Sequence, residues 1–132
     1  ISFKIDLAGT ILKPNMILPG TNSDQKISST EIAELTLKCL KESVPNEVSG
    51  IAFLSGGQTE IQATENLNQI NLMNKSNFIF TYSYGRALQQ SALKHWSKNT
   101  NDTAGTQDVF NHRAKMCTLA AKGQWTNSLE KN

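Results

Sequence analysis

The stretch Val48-Ser49-Gly50-Ile51-Ala52-Phe53-Leu54-Ser55-Gly56-Gly57-Gln58-Thr59-Glu60-Ile61-Gln62 carries three signals in succession. After Gly50 the run is apolar without alternation through Leu54. That is the pattern of a strand buried on both faces, which belongs to parallel sheets. Ser55-Gly56-Gly57 breaks the run. Thr59 with Gln62 three residues on is a capping-box pattern, and Ile61, Leu67 and Ile70 follow at helical spacing. The reading is strand, glycine turn, helix.

Working outward, the same order recurs on both sides. Ile1 to Leu12 alternates loosely and ends in the apolar pair Ile11-Leu12. Pro14 disfavours helix at Lys13 and holds it extended. Pro19-Gly20 opens a loop to about Ile27. Ser28 with Glu31 is a second capping box, and Ile32, Leu35, Cys39 and Leu40 then form an apolar stripe. Val44-Pro45-Asn46 ends that helix. Downstream, Phe78 to Tyr82 reads as a third strand, Tyr84-Gly85-Arg86 as its turn, and Ala87, Leu88, Ala92, Leu93 and Trp96 as the inward stripe of a third helix. Lys98 to Thr106 reads as a polar linker. Gln107 to Lys122 reads as a last helix with Phe110, Ala114 and Cys117 inward, and Gly123 is a C-cap candidate. No pattern follows Trp125.

The expected order is therefore βαβαβα plus one helix, with strands near 3–12, 48–55 and 78–83. Crossovers of this length imply parallel strands and right-handed connections. Three such strands leave both sheet edges open. The pattern is that of a portion of a larger α/β sheet or barrel. A whole (β/α)8 barrel needs about 250 residues, and 132 supply about three of its eight units. The chain opens on Ile1 rather than a methionine and is read as a piece of something longer.

The bulk numbers exclude more than they assign. Thirteen Lys and Arg against eleven Asp and Glu give a net charge of +2, too small to mark a nucleic-acid or membrane surface. The apolar runs fall far short of the roughly 20 residues a membrane helix needs. Cys39 and Cys117 have no partner at metal-site spacing and are expected as reduced, buried thiols. His95 and His112 each stand alone and are expected in structural or surface roles, and Trp96 and Trp125 in packing. Asp6, Glu60 and Glu65 are the carboxylates nearest the turns. They form no acid–base pair, and Glu60 and Glu65, on helix-opening turns, read as solvated helix charge.

The chemistry lies at the turns. Lys13 falls at the carboxyl end of the first strand, where α/β folds place their active sites. It reads either as a surface lysine at a loop start or as an amine that condenses with a ketone. In the second case the amine reacts unprotonated, and burial or neighbouring cations favour that form. At Ser55-Gly56 and again at Gly85, glycine lets the backbone approach an anion where a helix dipole favours negative charge. Arg86 adds a cation that forks onto phosphate oxygens. Two adjacent turns of this kind match the recurring phosphate site of barrels.

Over residues 8–125 these turns resemble class I fructose-bisphosphate aldolase. Leu12-Lys13-Pro14-Asn15-Met16 is similar to that family's Schiff-base strand. Val48 to Gln58 is similar to the strand and phosphate loop that follow it, Glu65 to Asn71 to the next helix, and Phe80 to Gln89 to the last strand and its arginine turn. The resemblance implies the C-terminal part of a (β/α)8 TIM barrel, its last three β/α units with a C-terminal helix over 1–125 and a tail over 126–132. It implies reversible, metal-free cleavage of fructose 1,6-bisphosphate to dihydroxyacetone phosphate and glyceraldehyde 3-phosphate, with no cofactor. By that likeness Lys13 is the Schiff-base nucleophile. Ser55, Gly56, Gly85 and Arg86 hold the phosphate of the ketone half, and Leu54, Ser83 and Tyr84 line the pocket. The implied partners are a phosphorylated sugar and, for a full-length chain, three further subunits of a homotetramer, with no nucleic acid or membrane; the implied location is cytoplasmic. The family's acid–base glutamates and two further lysines belong to earlier strands that these residues do not include. The alternative is a truncated, non-catalytic piece that keeps only the phosphate-binding loops.

Overall fold

The computed structural model describes residues 3–131. Its sheet has three strands, β1 (Ile11–Leu12), β2 (Gly50–Phe53) and β3 (Phe80–Tyr82), in that order and all parallel. Leu12, Ile51 and Phe80 stand in one row, and Phe53 pairs with Tyr82 in the next row on the same face. Four helices follow the strands: α1 (Ser29–Ser43), α2 (Glu60–Met73), α3 (Arg86–Lys98) and α4 (Thr103–Ala120).

The helices cover one face of the sheet. Ile51, Phe53 and Phe80 point into it and are fully or almost fully buried, with the Phe53 and Phe80 rings stacked at 5.6 Å between centroids. Leu67, Ile70, Ala63, Met116 and Cys117 meet them from α2 and α4. By alternation along each strand, Ile11, Ala52 and Ile79 belong to the opposite face. Nothing among the described residues covers it: Ile11 is 68% exposed and Ile79 69%.

Local chemistry sets the helix ends. At α1 the Ser28 hydroxyl accepts from the Glu31 amide, and the Glu31 carboxylate accepts from the Ser28 amide. Thr59 and Gln62 make the same reciprocal pair at α2. Each box satisfies two of the donors a helix start leaves unpaired. Gly123 ends α4 at φ +65°, where its amide donates to Ala120 and the Gln124 amide to Leu119. A side chain there would be strained.

Several expectations are corrected. Residues 3–10 are not strand. The Asp6 carboxylate accepts from the Ala8 amide and turns Leu7–Gly9 into a 3-10 turn, a local bond that competes with the ladder. Helix α4 begins at Thr103, not Gln107, because Asp102 caps it by accepting from the Gly105 amide. Leu35, Ile61, Leu93, Trp96 and Phe110 are exposed rather than inward, and so is Cys39; Cys117 alone of the two thiols is buried. The apolar stripes are wider than the contacts α1–α4 make on a sheet of three strands. Finally, Asn127–Lys131 forms a 3-10 turn. Its Glu130 accepts two hydrogen bonds from the buried Arg113 and one from the Trp125 indole. None of the described helices is long and apolar enough to cross a membrane.

Candidate functional site

Because the strands are parallel, everything that follows them in sequence emerges at one end of the sheet. Lys13 leaves β1, Leu54-Ser55-Gly56 leaves β2, and Ser83-Tyr84-Gly85-Arg86 leaves β3. The ladder runs slightly past the strand ends: the Leu54 amide donates to the Pro14 carbonyl at 3.0 Å and the Ser83 amide to the Phe53 carbonyl at 2.8 Å. These two bonds hold the three segments side by side.

Alternation also sets the face. Leu12, Ile51 and Phe80 point to the helices, so Lys13, one residue on, belongs to the open face with Ala52 and Thr81. Leu54 and Ser83 continue that face. Lys13 is exposed there, and Leu54 is half-buried. The sequence-derived pocket residues thus fall into two groups. Lys13, Leu54 and Ser83 share the open face and its carboxyl end. Tyr84 does not present its side chain there. Its ring is buried against α2, and its hydroxyl donates to the Ala63 carbonyl at 2.8 Å. Burial pushes its phenol far above the ordinary tyrosine range. What Tyr84 offers the end of the sheet is backbone.

The two glycine turns are built differently. Gly57 takes φ +79°, which reverses the chain after β2. Behind it the start of α2 is closed by its capping box. Ser55 is buried. Gly85 is itself the N-cap of α3 and carries no side chain to close it. A Cβ built there would meet nothing within 4 Å. The Leu88 and Gln89 amides both turn back to the Gly85 carbonyl, so this carbonyl is engaged while the exposed Arg86 guanidinium lies on the first turn of the helix. A helix start left open in this way favours negative charge near it.

Two features were not singled out in the sequence. Asn15 donates from Nδ2 to the Gly56 carbonyl at 3.3 Å and accepts from the Met16 amide at 2.9 Å. Its place two residues after the strand lysine was the available signal. Beside it lies a groove of about 750 Å³ between the loop after β1 and the start of α2, to which Asn15 and Gly56 both contribute. Of the carboxylates, Glu60 is not free charge. It accepts from the Ser91 amide and hydroxyl and ties α2 to α3. His95 pairs with the α4 cap Asp102 at 2.8 Å, and hydrogen bonding from His95, with the Gly105 amide, holds that carboxyl below its usual range. Among the described residues no group of three or more His, Cys, Asp or Glu side chains is placed to hold a metal ion.

The family model for class-I fructose-bisphosphate aldolase, a glycolytic family, matches residues 2–132. Over 120 residues the chain is 48% identical to a probable fructose-bisphosphate aldolase class 1 of Xylella fastidiosa, which covers 90% of this chain and 36% of that protein. It is 47% identical over 120 residues to the cytoplasmic isozyme of fructose-bisphosphate aldolase from Spinacia oleracea, covering 90% of this chain and 33% of that one. The structure superposes on fructose-bisphosphate aldolase from Plasmodium falciparum, solved in complex with TRAP and a small-molecule inhibitor. The TM-score is 0.89 at 37% identity, over 94% of this chain and 36% of the other. The chain spans about a third of the length of the curated relatives it matches.

Proposed function

The chain belongs to the class-I fructose-bisphosphate aldolase family, and on that premise we propose that it supplies the nucleophile and the ketone-phosphate site of a lyase acting on fructose 1,6-bisphosphate. The observation that carries this reading is the placement of Lys13 on the open face, at the strand end shared with the Ser55-Gly56 and Gly85-Arg86 turns.

The chemistry follows from those groups. The Lys13 amine adds to the ketone carbonyl and loses water, giving an iminium. The hydroxyl on the fourth carbon gives up its proton and becomes the aldehyde carbonyl as the bond between the third and fourth carbons breaks, and the electron pair of that bond moves into the iminium, which becomes an enamine. The aldehyde half leaves. A proton returns to carbon, and water releases the ketone half and the free lysine. The phosphate of that half rests on the Ser55 hydroxyl and the amides of Gly56, Gly85 and Arg86, with the Arg86 guanidinium. Leu54 and Ser83 flank the bound carbons. Binding at the phosphate holds the reacting carbon in place, so remote contacts serve the chemical step. The proton transfers belong to carboxylates on other strands of a complete barrel. The assembled enzyme is a cytoplasmic homotetramer in this reading; the location is supported by the spinach relative, a cytoplasmic isozyme.

A second reading holds for the 132 residues by themselves. The uncovered Ile11 and Ile79 face favours a piece that keeps the anion turns without turnover. The test of the first reading is release of triose phosphate from fructose 1,6-bisphosphate by a complete barrel carrying these residues. Turnover is expected, and Lys13→Ala abolishes it. Turnover that survives Lys13→Ala rejects the assignment.

A further inference from the structure

We propose that Asn15 is a positioning residue that sets the spacing between the Lys13 amine and the phosphate turn, matching the site to ketones whose phosphate is attached one carbon from the carbonyl. This rests on the reading of Lys13 given above.

Lys13 and Asn15 follow β1 directly, with Pro14 between them. Pro14 fixes its own φ and restricts Lys13. Two bonds then clip this segment to the turn after β2. The Leu54 amide donates to the Pro14 carbonyl at 3.0 Å, and Asn15 Nδ2 donates to the Gly56 carbonyl at 3.3 Å. The Asn15 side chain is itself held, because its Oδ1 accepts from the Met16 amide at 2.9 Å. A side chain pinned at both ends of its amide is a spacer of fixed length.

The Asn15 bond also orients a peptide plane. In a trans peptide the carbonyl and the following N–H point in opposite directions. With the Gly56 carbonyl turned toward Asn15, the Gly57 N–H points away from it. The Gly57 amide has no acceptor among the described residues. Without Asn15 the Gly56 carbonyl loses its donor and is free to turn toward the phosphate, where its dipole repels an anion. Gly56 is packed close to this brace: a Cβ there would lie 3.2 Å from Leu54 Cδ1 and 3.7 Å from Asn15 Nδ2. The turn that carries Ser55 and Gly56 is thereby placed relative to the lysine.

The ligand chemistry makes this spacing consequential. In dihydroxyacetone phosphate the carbonyl carbon that forms the iminium is separated from the phosphate oxygen by one methylene. A bound phosphate therefore dictates where the carbonyl sits, and it sits at the amine only if the turn is correctly placed.

The experiment uses two ketones on the complete barrel, wild type and Asn15→Ala. Iminium formation releases water, and borohydride delivers hydride to the iminium carbon, leaving a stable secondary amine. Trapping rates are measured with dihydroxyacetone phosphate and with dihydroxyacetone, which has no phosphate. Wild type is expected to trap the phosphorylated ketone faster. Asn15→Ala is expected to slow that reaction by about 10–100-fold, the scale of a sub-ångström to ångström misplacement, while leaving the dihydroxyacetone rate unchanged. The unphosphorylated ketone reports that the lysine and fold are intact. An equal fall with both ketones would make Asn15 a framework residue, and no fall with either would make it idle; both results overturn the proposal. Wild type trapping neither ketone overturns the Lys13 assignment, and this one with it.

Discussion

The turns before α2 and before α3 occupy the same end of one sheet and follow the same sequence grammar, yet they end in different states. Before α2, Thr59 and Gln62 consume each other's backbone donors. Before α3, Gly85 offers no side chain to cap the first turn, which carries Arg86. The residue at the N-cap thus decides whether a helix start is spent on stability or kept for a ligand. In the proposed anion site the α2 turn contributes through Ser55 and Gly56, upstream of its cap. The α3 turn contributes through the helix end itself. The frames behind them differ too. Helix α2 is held from several sides, by the Tyr84 hydroxyl on Ala63, by Arg113 on Thr64 and by Asn68 on the Trp125 amide. Helix α3 keeps an exposed outer face with Leu93 and Trp96.

The broadest challenge to this comparison is to remove everything but the two turns and the lysine. The isolated 132 residues should bind an anion, if folded, yet show no measurable turnover in a triose phosphate assay. Proton transfer by positioned carboxylates alone contributes about 10²–10⁴-fold. Their open apolar face should also make them aggregate, which light scattering reads. A monodisperse monomer with a cooperative thermal transition would contradict that expectation.

The frame behind α2 is tested next. Burial pushes the Glu130 carboxyl up, but the Arg113 and Trp125 hydrogen bonds and the charges of Arg113 and His112 outweigh it and hold the carboxyl below its usual range. Removing it strands a buried guanidinium, so Glu130→Ala should cost about 3–5 kcal/mol by denaturant unfolding of the complete barrel. The sign with pH is set by the lowered carboxyl. The stabilisation is fully present above the ordinary glutamate pKa, about 4.3, and is lost as pH falls through the folded value. The gap between wild type and Glu130→Gln should therefore close in acid. A gap that widens in acid would break the account of this frame.

The open turn is tested by Arg86→Ala, which should weaken inorganic phosphate binding by about 1.5–3 kcal/mol in calorimetry, the range for hydrogen bonds to charged groups. Unchanged affinity would show that the anion sits elsewhere. The smallest effect belongs to the capped turn. Thr59→Ala should cost about 1 kcal/mol of stability and leave phosphate affinity where it was. A loss of affinity in Thr59→Ala equal to that in Arg86→Ala would erase the distinction between the turns.

How much of this was legible beforehand depended on whether the signal was local. Both capping boxes, the Gly123 stop and the three parallel strand ends are written in adjacent residues, and family membership followed from the turns they define. The start of α4 was missed because Gly105 and its polar neighbours look like linker, while Asp102 as a cap needs no apolar company. The inward set was overestimated because an apolar stripe shows what a helix offers, not what meets it; Leu35, Trp96 and Phe110 find no cover on a sheet of three strands. Tyr84 is named with the pocket by resemblance, and alternation sends its side chain to the helices, where its hydroxyl donates to the Ala63 carbonyl. Arg113 with Glu130, and Asn15 with Gly56, are separated by 17 and 41 positions, so the neighbours of each residue in sequence do not name its partner.

The central claim is that Lys13 is the group that binds the ketone carbon. It is tested most directly by borohydride trapping of dihydroxyacetone phosphate on the complete barrel, followed by peptide mass mapping. The account predicts one adduct, on the peptide containing Leu12-Lys13-Pro14. An adduct on a different lysine, with that peptide unmodified, would contradict it.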